Sequence, residues 1–372
     1  MRALILTMIV VTPLGGAVPL WPVVGRRVLE KYHETWTIAD WQLVETVLLV
    51  ALCVLGFSLA SLLVARSSDT FGASFRFDRF TLPLLLLNCG VIVWGAVLTT
   101  FYPDFFALSI QEMSFIALWQ ELMLLAALIA LVAATLAIRK GDHVKAFFVH
   151  PAWLSVAMTL AVLILLLEET SYGLHMIGWR TPDAFAANLQ SETNLHNFYT
   201  HRFELVYYGG AFLCFCILPL VADRMALFDR LGLRQFVPSP GFAVATLPVA
   251  GAMFNSWAIV PYQLFFVVAV SIAVIVAMRA SEFTRIFAVL VAAVMIGSQA
   301  VYLLAGPNLI LRFEPTEIRE LAICISLAAY AIWLWHSARA PRAVGRLHIS
   351  RPSERRINRV LDDTSTPAPS RT

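Results

Sequence analysis

Long apolar runs separated by short polar segments dominate the chain. A helix that crosses the roughly 30 Å hydrocarbon core of a membrane needs about 20 apolar residues, and runs of about this length recur along the whole sequence. The pattern predicts an all-α, polytopic membrane protein with about ten transmembrane helices. The predicted spans are 3–24, 43–65, 81–101, 114–138, 147–167, 205–223, 241–259, 261–278, 286–305 and 318–337.

The two ends of the chain depart from this pattern. Pro13, Pro19 and Pro22 interrupt the first run, which we interpret either as a span or as a signal peptide cleaved after Ala17. From residue 339 onward Arg, Pro, Ser and Thr replace the aliphatic residues. We therefore expect a transmembrane domain at 1–338 and a disordered, basic cytoplasmic tail at 339–372.

Composition and charge support a membrane location. Hydrophobic residues make up 59% of the chain, charged residues 14%, and the mean hydropathy is +0.77, whereas roughly 25% of residues are charged in soluble domains. With both termini in the cytoplasm, most of the 27 Lys and Arg residues lie on the inner side, as the positive-inside rule requires. The sequence predicts a bacterial cytoplasmic (inner) membrane protein with membrane lipids as partners and no nucleic-acid partner, since the basic face suits anionic headgroups.

The longest outer connection, 168–204, has the highest density of ionisable residues. Ionisable groups cost several kcal/mol at membrane depth unless they are paired or hydrated, so such a concentration is a functional hypothesis. The alternative is that these are interfacial charges that mark the end of the bilayer, or histidines with only a structural role. The motif residues in this connection are Glu168, Glu169, Ser171, Tyr172, His175, Glu192, His196, Asn197, His201, Arg202 and Glu204.

Two helical segments are expected within this connection. Thr181-Pro182-Asp183 combines an N-cap residue, a proline at the first helical position and an acid in the first turn, which predicts a short interfacial outer helix. No helix breaker follows between Ser191 and the next span. A second helix is therefore expected from Glu192 to His201, running directly into the membrane.

The residue types in the connection suit acid/base or metal chemistry. Two carboxylates close together raise the pKa of one of them, which suits a proton donor, and either Glu168 or Glu169 can face inward. Glu192 and His196 are four residues apart and share a helix face, so Glu192 can orient His196 as an acid/base pair. The candidate catalytic residues are thus Glu168, Glu169, Glu192 and His196.

The remaining candidates would bind a substrate or a metal. A divalent metal is a possible cofactor because His175, His196 and His201 lie near one rim, although their spacing matches no established signature. The five cysteines are spread through the spans and support neither a metal site nor a disulfide framework. The candidate substrate-binding residues are Ser171, Tyr172, Asn197, Glu121, Arg202 and Glu320.

Polar residues of other spans extend this rim. Six spans carry hydrogen-bonding groups in their outer halves, while their inner halves are almost entirely apolar. This distribution predicts a polar funnel that is open to the outside and closed below. For the residues at the start of the last span, ordinary helix capping and helix-dipole chemistry is the alternative. The contributing residues outside the connection are Glu45, Glu121, Asn255, Ser256, Gln299, Tyr302, Arg312, Glu314, Glu317, Arg319 and Glu320.

The connection also carries a sequence resemblance. The string Glu168-Glu169-x-Ser171-Tyr172-Gly173, followed by Gly178-x-x-Thr181-Pro182 and by Glu192-x-Asn194-x-His196-Asn197, resembles a motif of a group of uncharacterised bacterial multi-pass membrane proteins. In that group the first part typically ends in Ser-Trp-Gly, and Tyr172 replaces the Trp here. The resemblance implies a membrane protein in which the carboxylates and His196 matter, but it names no activity.

These observations favour a cell-envelope enzyme with a site at the outer rim. Hydrolysis or group transfer on a lipid or lipid-linked substrate is the expected reaction class, because no nucleotide or haem signature is present. A membrane transporter is one alternative, although the polar groups cluster at a rim and not at the midplane. A non-catalytic scaffold or assembly factor for envelope complexes is the other.

Overall fold

The computed structural model describes residues 43–65, 71, 74–110, 114–141, 149–173, 183–185, 194–195, 198, 200–252, 262–309 and 316–339. This part of the chain is helical and contains no β-strand, which confirms the all-α prediction. Its α-helices are α1 (Leu43–Val64), α2 (Thr81–Phe101), α3 (Pro103–Ser109), α4 (Phe115–Lys140), α5 (Ala152–Glu169), α6 (Thr200–Ala211), α7 (Leu218–Val221), α8 (Ala226–Arg230), α9 (Pro240–Thr246), α10 (Leu264–Arg279), α11 (Glu282–Leu309) and α12 (Thr316–Arg339).

Six helical segments of the described residues are long and apolar enough to cross a membrane, and the predicted count of ten is not confirmed. A π-helical turn at Phe212–Ile217 joins α6 to α7, so that these elements form one of the six. Two shorter apolar helices, Leu49–Val64 and Leu264–Arg279, match two further predicted spans. The predicted span at 3–24 lies outside the described residues. The six long segments are Thr81–Phe101, Phe115–Lys140, Ala152–Glu169, Phe203–Val221, Glu282–Tyr302 and Glu317–Arg339.

Large apolar side chains cover the outside of the bundle. Val206 is 73% exposed, Ile129 62% and Ile164 60%, and similar residues recur along the outer faces of α1, α2 and α4. Monomeric soluble proteins rarely expose large contiguous apolar patches. The exposed surface of these helices therefore fits contact with lipid.

The two ends of the bundle have different polar chemistry. At one end, here called the arginine end, Arg224 donates to the carbonyls of Leu62, Leu63 and Ala65 at 2.5–3.0 Å and so caps α1. At the opposite end, the carboxylate end, α5 finishes at Glu169 and α12 carries Glu317 and Glu320 in its first turns.

The chain divides into units Met1–Ala338 and Arg339–Thr372; residues 340–372 lie outside the described part.

The predicted seventh span, 241–259, is not one regular helix. The α-helix α9 ends at Thr246 and continues as a 3₁₀ turn, Leu247–Ala252, in which the side chains that the structure describes are buried. Pro248 lies in this turn and cannot donate the backbone hydrogen bond of a continuous α-helix. Residues 253–261 lie outside the described residues. We refer to Pro240–Ala252 as the broken segment.

Polar side chains of neighbouring helices donate hydrogen bonds to backbone carbonyl groups of the broken segment. Asn88 of α2 is fully buried and donates to the carbonyl of Ala245 at 3.1 Å, and Ser298 of α11 donates to that of Gly251 at 3.2 Å. Irregular backbone at membrane depth is tolerated where it is buried in protein and its polar groups are satisfied. Asn88 also donates to Ser326 at 3.2 Å; it is a buried polar side chain in the half of α2 near the arginine end, which the predicted funnel did not include.

Replacing Gly241 by alanine is expected to destabilise the protein. A Cβ atom there would lie 2.6 Å from the Arg76 carbonyl oxygen, and a backbone contact of this kind can be relieved only by moving α9, at a cost of about 1–3 kcal/mol. Gly90→Ala is the matched control, because its Cβ would meet no atom within 4 Å and an alanine favours the helix by roughly 0.5–1 kcal/mol. Melting temperatures in detergent should fall for the first variant and rise slightly for the second; the reverse order would contradict the packing at Gly241.

Candidate functional site

The carboxylate end of α5 closes in a strained turn. Ser171, Tyr172 and Gly173 have φ values of 47°, 57° and 76°, so three consecutive residues occupy the left-handed region. For Ser171 and Tyr172 this conformation carries a steric cost of order 1–3 kcal/mol each. Such a turn persists only where neighbouring contacts hold it, and strained backbone of this kind clusters at functional sites.

The contacts that hold the turn come from Glu168. Its side chain is 5% exposed; Oε1 accepts a hydrogen bond from the Tyr172 hydroxyl, and Oε2 accepts one from the Leu195 backbone N–H at 2.7 Å. Glu168 thereby fastens both the strained turn and the far part of the outer connection to the end of α5. These bonds make it a positioning residue.

The hydrogen bond to Glu168 raises the pKa of Tyr172 to about 12, with smaller contributions from desolvation and from the carboxylate charge. The folded-state pKa of Tyr172 lies above the ordinary tyrosine value of about 10, so the stabilisation from this bond is complete below pH 10 and is lost as the pH rises through the folded pKa. Tyr172→Phe should therefore remove one step from the tyrosinate absorbance titration, and that step should lie near pH 12. A lost step near pH 10 would contradict the bond.

Glu169 is the neighbouring carboxylate at the same helix end and is half-buried. The charges of Glu169 and Glu320 both act on the Tyr207 hydroxyl and on the Cys324 thiol. The Tyr207 oxygen and the Cys324 sulfur lie 3.6 Å apart. The sequence left open which of the two glutamates faces inward; in the structure Glu168 is the more buried and accepts a hydrogen bond from the outer connection, while the charge of Glu169 reaches Tyr207 of α6 and Cys324 of α12.

A buried arginine lies next to this pair of helices. Arg319 of α12 has no exposed surface, and its guanidinium carbon lies 3.5 Å from the centre of the Tyr208 ring and 5.3 Å from that of Tyr262. The Tyr208 hydroxyl donates to Oε1 of Glu320. The guanidinium thus brings a positive charge into a region that otherwise contains carboxylates, which lowers the cost of burying them.

Hydrogen bonds connect the N-terminal turns of α4 and α12 at the carboxylate end. The side-chain amide of Gln120 donates to the Glu317 carbonyl and to its carboxylate Oε2, both at 3.0 Å. Glu121, a predicted substrate-binding residue, is the next residue and is half-buried. The carboxylate cluster, as we define it, comprises Glu168, Glu169, Tyr172, Tyr207, Tyr208, Arg319 and Glu320.

The carboxylate cluster can move protons and can bind hydrogen-bond donors. Glu169 and Glu320 supply carboxylates at one end of the bundle, with the tyrosine hydroxyls beside them, and general acid/base catalysis needs such groups within hydrogen-bond reach of a substrate. No group of three or more His, Cys, Asp or Glu residues that could hold a metal occurs among the described residues. The metal candidates His175, His196 and the side chain of His201 lie outside that part of the chain.

Several predicted site residues are not described. Glu192, His196 and Asn197 lie outside the described residues, as does the side chain of Arg202. The predicted continuous helix from Glu192 to His201 is wrong, because Asn194 and Leu195 are not helical and α6 begins at Thr200. The backbone of Leu195 instead donates to Glu168. The proposed helix start at Asp183 is present only as a 3₁₀ turn, Asp183–Phe185, within the described residues.

The sequence analysis did not identify three polar residues that make contacts at the carboxylate end. Gln120, Tyr207 and Tyr262 lie within or beside apolar runs and carry no motif. Their one available signal is a polar atom in a predicted span, which in lipid favours an inward orientation. Gln299, a predicted funnel residue, is buried with neither side-chain atom bonded to any described residue, and it lies apart from the carboxylate cluster in α11.

Comparisons of the chain with models of protein families, with curated proteins and with solved structures find no match. The arrangement of the carboxylate cluster is therefore the basis for a functional assignment.

Proposed function

We propose that the protein is a cell-envelope enzyme that carries out hydrolysis or group transfer on a lipid or lipid-linked substrate. The observation that carries the proposal is the carboxylate cluster. Ionisable side chains of α5, α6 and α12 lie at one end of an apolar bundle. One carboxylate, Glu168, accepts hydrogen bonds from the strained turn and from the outer connection. Perturbed, partly buried ionisable groups of this kind are enriched at active sites.

The depth of the carboxylate cluster in the membrane suggests which part of a substrate reacts. The cluster lies where long apolar helices end, which is the depth of lipid headgroups. A substrate anchored by its hydrocarbon part would present its polar part there. In this proposal Glu169 is the acid/base residue and Glu168 positions the turn and the outer connection, while Glu320 and Tyr207 contact the substrate's polar groups. His196 and Glu192 remain candidates for the same site.

We further propose that the arginine end faces the cytoplasm of a bacterium and the carboxylate end faces outward. Arg76, Arg79, Arg139, Arg224 and Arg279 all belong to turns or helix ends at the arginine end, and positive charge is retained on the cytoplasmic side during insertion. The enzyme would then act at the outer leaflet of the inner membrane.

Mass spectrometry of lipid extracts tests the enzymatic proposal. The gene is deleted in the organism that encodes it, and strains carrying Glu169→Gln or the control Glu282→Gln are compared; Glu282 is an exposed carboxylate in the first turn of α11, at the arginine end. We expect a compound that accumulates on deletion to accumulate equally in Glu169→Gln and to be absent in Glu282→Gln. Purified protein should convert that compound, with Glu169→Gln slower by about 10²–10⁴-fold, the usual contribution of general acid/base catalysis.

The proposal fails if Glu169→Gln, present at the normal level, restores the wild-type lipid profile. That outcome would favour a scaffold, for which a single neutralised carboxylate is a small change.

A transporter is a second candidate, favoured by the broken segment. Interrupted helices with polar side chains at membrane depth form substrate sites in secondary transporters, and Asn88, Ser326 and Thr246 meet around this segment. Detergent separates the two functions, because an enzyme converts its substrate in micelles, whereas a transporter leaves it chemically unchanged and moves it only across sealed vesicles.

A further inference from the structure

A long apolar groove runs between α5 and α6. Its volume is about 390 Å³, within the range of ligand sites, and its walls include Met158 of α5, Gly210 of α6, Cys214 of the π-helical turn and Ile323 of α12. Cys214 and Val206 on its rim are exposed. The groove is therefore reached from the surface that the bundle presents to lipid.

The dimensions of the groove fit one hydrocarbon chain. Along the helix from Tyr207 to Leu218, both of which line the groove, the rise is about 16 Å at 1.5 Å per residue. This is about half of the roughly 30 Å hydrocarbon thickness of a membrane. The groove thus has the length of one leaflet's acyl chains.

Basic residues predominate at one end of the groove and carboxylates at the other. At one end Leu233, Phe236 and Pro238 line the wall, and Arg234 lies in the same turn, with Arg230 exposed nearby in the chain and Arg139 and Lys140 ending α4. At the other end the negative charges of Glu169 and Glu320 act on the Tyr207 hydroxyl. A phosphate is attracted to the first end and repelled at the second.

Arg234 provides a second indication of a missing partner. Its Nη1 atom is buried and makes no hydrogen bond with any described residue. A buried, unsatisfied donor normally costs about 1–3 kcal/mol, and such a group in a native protein calls for an explanation. Arg234 is the neighbour in sequence of the lining residue Leu233, and a phosphate oxygen bound at this end of the groove would supply an acceptor.

We propose that the groove binds an anionic phospholipid of the leaflet at the arginine end, with its phosphate at Arg234 and one acyl chain extending toward Tyr207. The groove reaches Tyr207, which also belongs to the carboxylate cluster, whereas the proposed phosphate contact, Arg234, lies at the arginine end. The lipid proposal does not depend on the reaction proposed above.

Photo-crosslinking in phosphatidylcholine nanodiscs tests the lipid site. Two phosphatidylglycerol probes carry a diazirine, one near the glycerol and one at the methyl end of an acyl chain, and matched phosphatidylcholine probes are used in parallel. We expect the first phosphatidylglycerol probe to label Leu233–Pro238 and the second to label the stretch around Tyr207 and Gly210. Both should exceed the labelling of Leu160 and Ile164, which are exposed on α5 outside the groove.

Variants separate occupancy of the groove from general lipid contact. Gly210→Leu should block the groove without a clash at its Cβ, since no atom lies within 4 Å, and Gly297→Leu is the matched control because Gly297 is equally open and lines a different apolar groove between α2 and α11. Arg234→Gln should weaken the preference for phosphatidylglycerol about fivefold, as expected for about 1 kcal/mol per arginine near an anionic surface. Arg234→Lys should retain most of the preference.

Three outcomes would overturn the proposal. One is equal labelling by the phosphatidylglycerol and phosphatidylcholine probes. Another is the reverse order of labelling along the groove, which would put the headgroup at the carboxylate end. The third is unchanged labelling in Gly210→Leu. If this variant misfolds, the depth order of labelling in the wild-type protein decides alone.

Discussion

Arg319→Ala is expected to lose most of the folded protein. The side chain is completely buried, with its guanidinium over the Tyr208 ring and near that of Tyr262. Removing it leaves a cavity and also leaves the Glu320 carboxylate, which accepts from Tyr208, without the nearby positive charge. Breaking a buried charge arrangement in this way typically costs about 3–5 kcal/mol, a large share of the stability of most domains.

Arg79→Ala is the matched control for Arg319→Ala. Arg79 also lies over an aromatic ring, 5.0 Å from the centre of Phe80, but it is exposed, and exposed cation–π pairs contribute only about 0.5–1 kcal/mol. Arg319→Lys should be intermediate, because it keeps the charge and loses the planar stacking. Melting temperature and chemical denaturation in detergent measure all three; equal effects of Arg319→Ala and Arg79→Ala would contradict a buried charge arrangement.

Glu168→Ala is expected to release the outer connection while the bundle stays folded. The two hydrogen bonds from Tyr172 and Leu195 end on its carboxylate, and hydrogen bonds to charged groups contribute about 1.5–3 kcal/mol each. The Leu195 amide should therefore exchange its hydrogen roughly 10- to 100-fold faster in Glu168→Ala, since exchange follows the free energy of local opening.

Glu169→Gln is the control for this exchange measurement. Glu169 is the adjacent residue on α5, but its charge acts on Tyr207 and Cys324 and the Leu195 amide donates to Glu168, so this amide should keep its wild-type protection. Slow exchange of that amide in Glu168→Ala would show that other contacts hold the connection. The two variants thereby assign separate roles to neighbouring glutamates.

The sequence predicts the helical class and most helix positions, because both follow from the length of apolar runs. The predicted span at 81–101 coincides with α2, Thr81–Phe101, and the prediction at 318–337 lies within α12. Hydrophobicity alone does not report whether a run is one regular helix. At 241–259 the chain is as apolar as its neighbours, and Pro248 was the local signal for the break.

The sequence also identifies the residues of the polar end, but it does not identify the contacts between them. Glu168, Glu169, Tyr172 and Glu320 were all named as candidates, and all four are in the carboxylate cluster. Which of the two glutamates is buried depends on how α5 packs against the other elements, and the strained turn at Ser171–Gly173 that donates to Glu168 is not encoded by any periodicity. The contact of Tyr208 with Glu320 joins residues 112 positions apart. Arg319 was expected at the polar rim, and its complete burial depends on the tyrosines of other elements.

The broken segment has a consequence for the order in which the protein is made. Its carbonyl groups accept hydrogen bonds from Asn88 and from Ser298. Asn88 leaves the ribosome much earlier than the broken segment, and Ser298 leaves it later. A nascent chain that has emerged only as far as Ala252 therefore lacks the donor for Gly251, and lipid cannot replace it. Residues 240–252 are thus expected to settle into the bilayer only once α11 has been synthesised, so the last third of the polypeptide inserts as a cooperative unit.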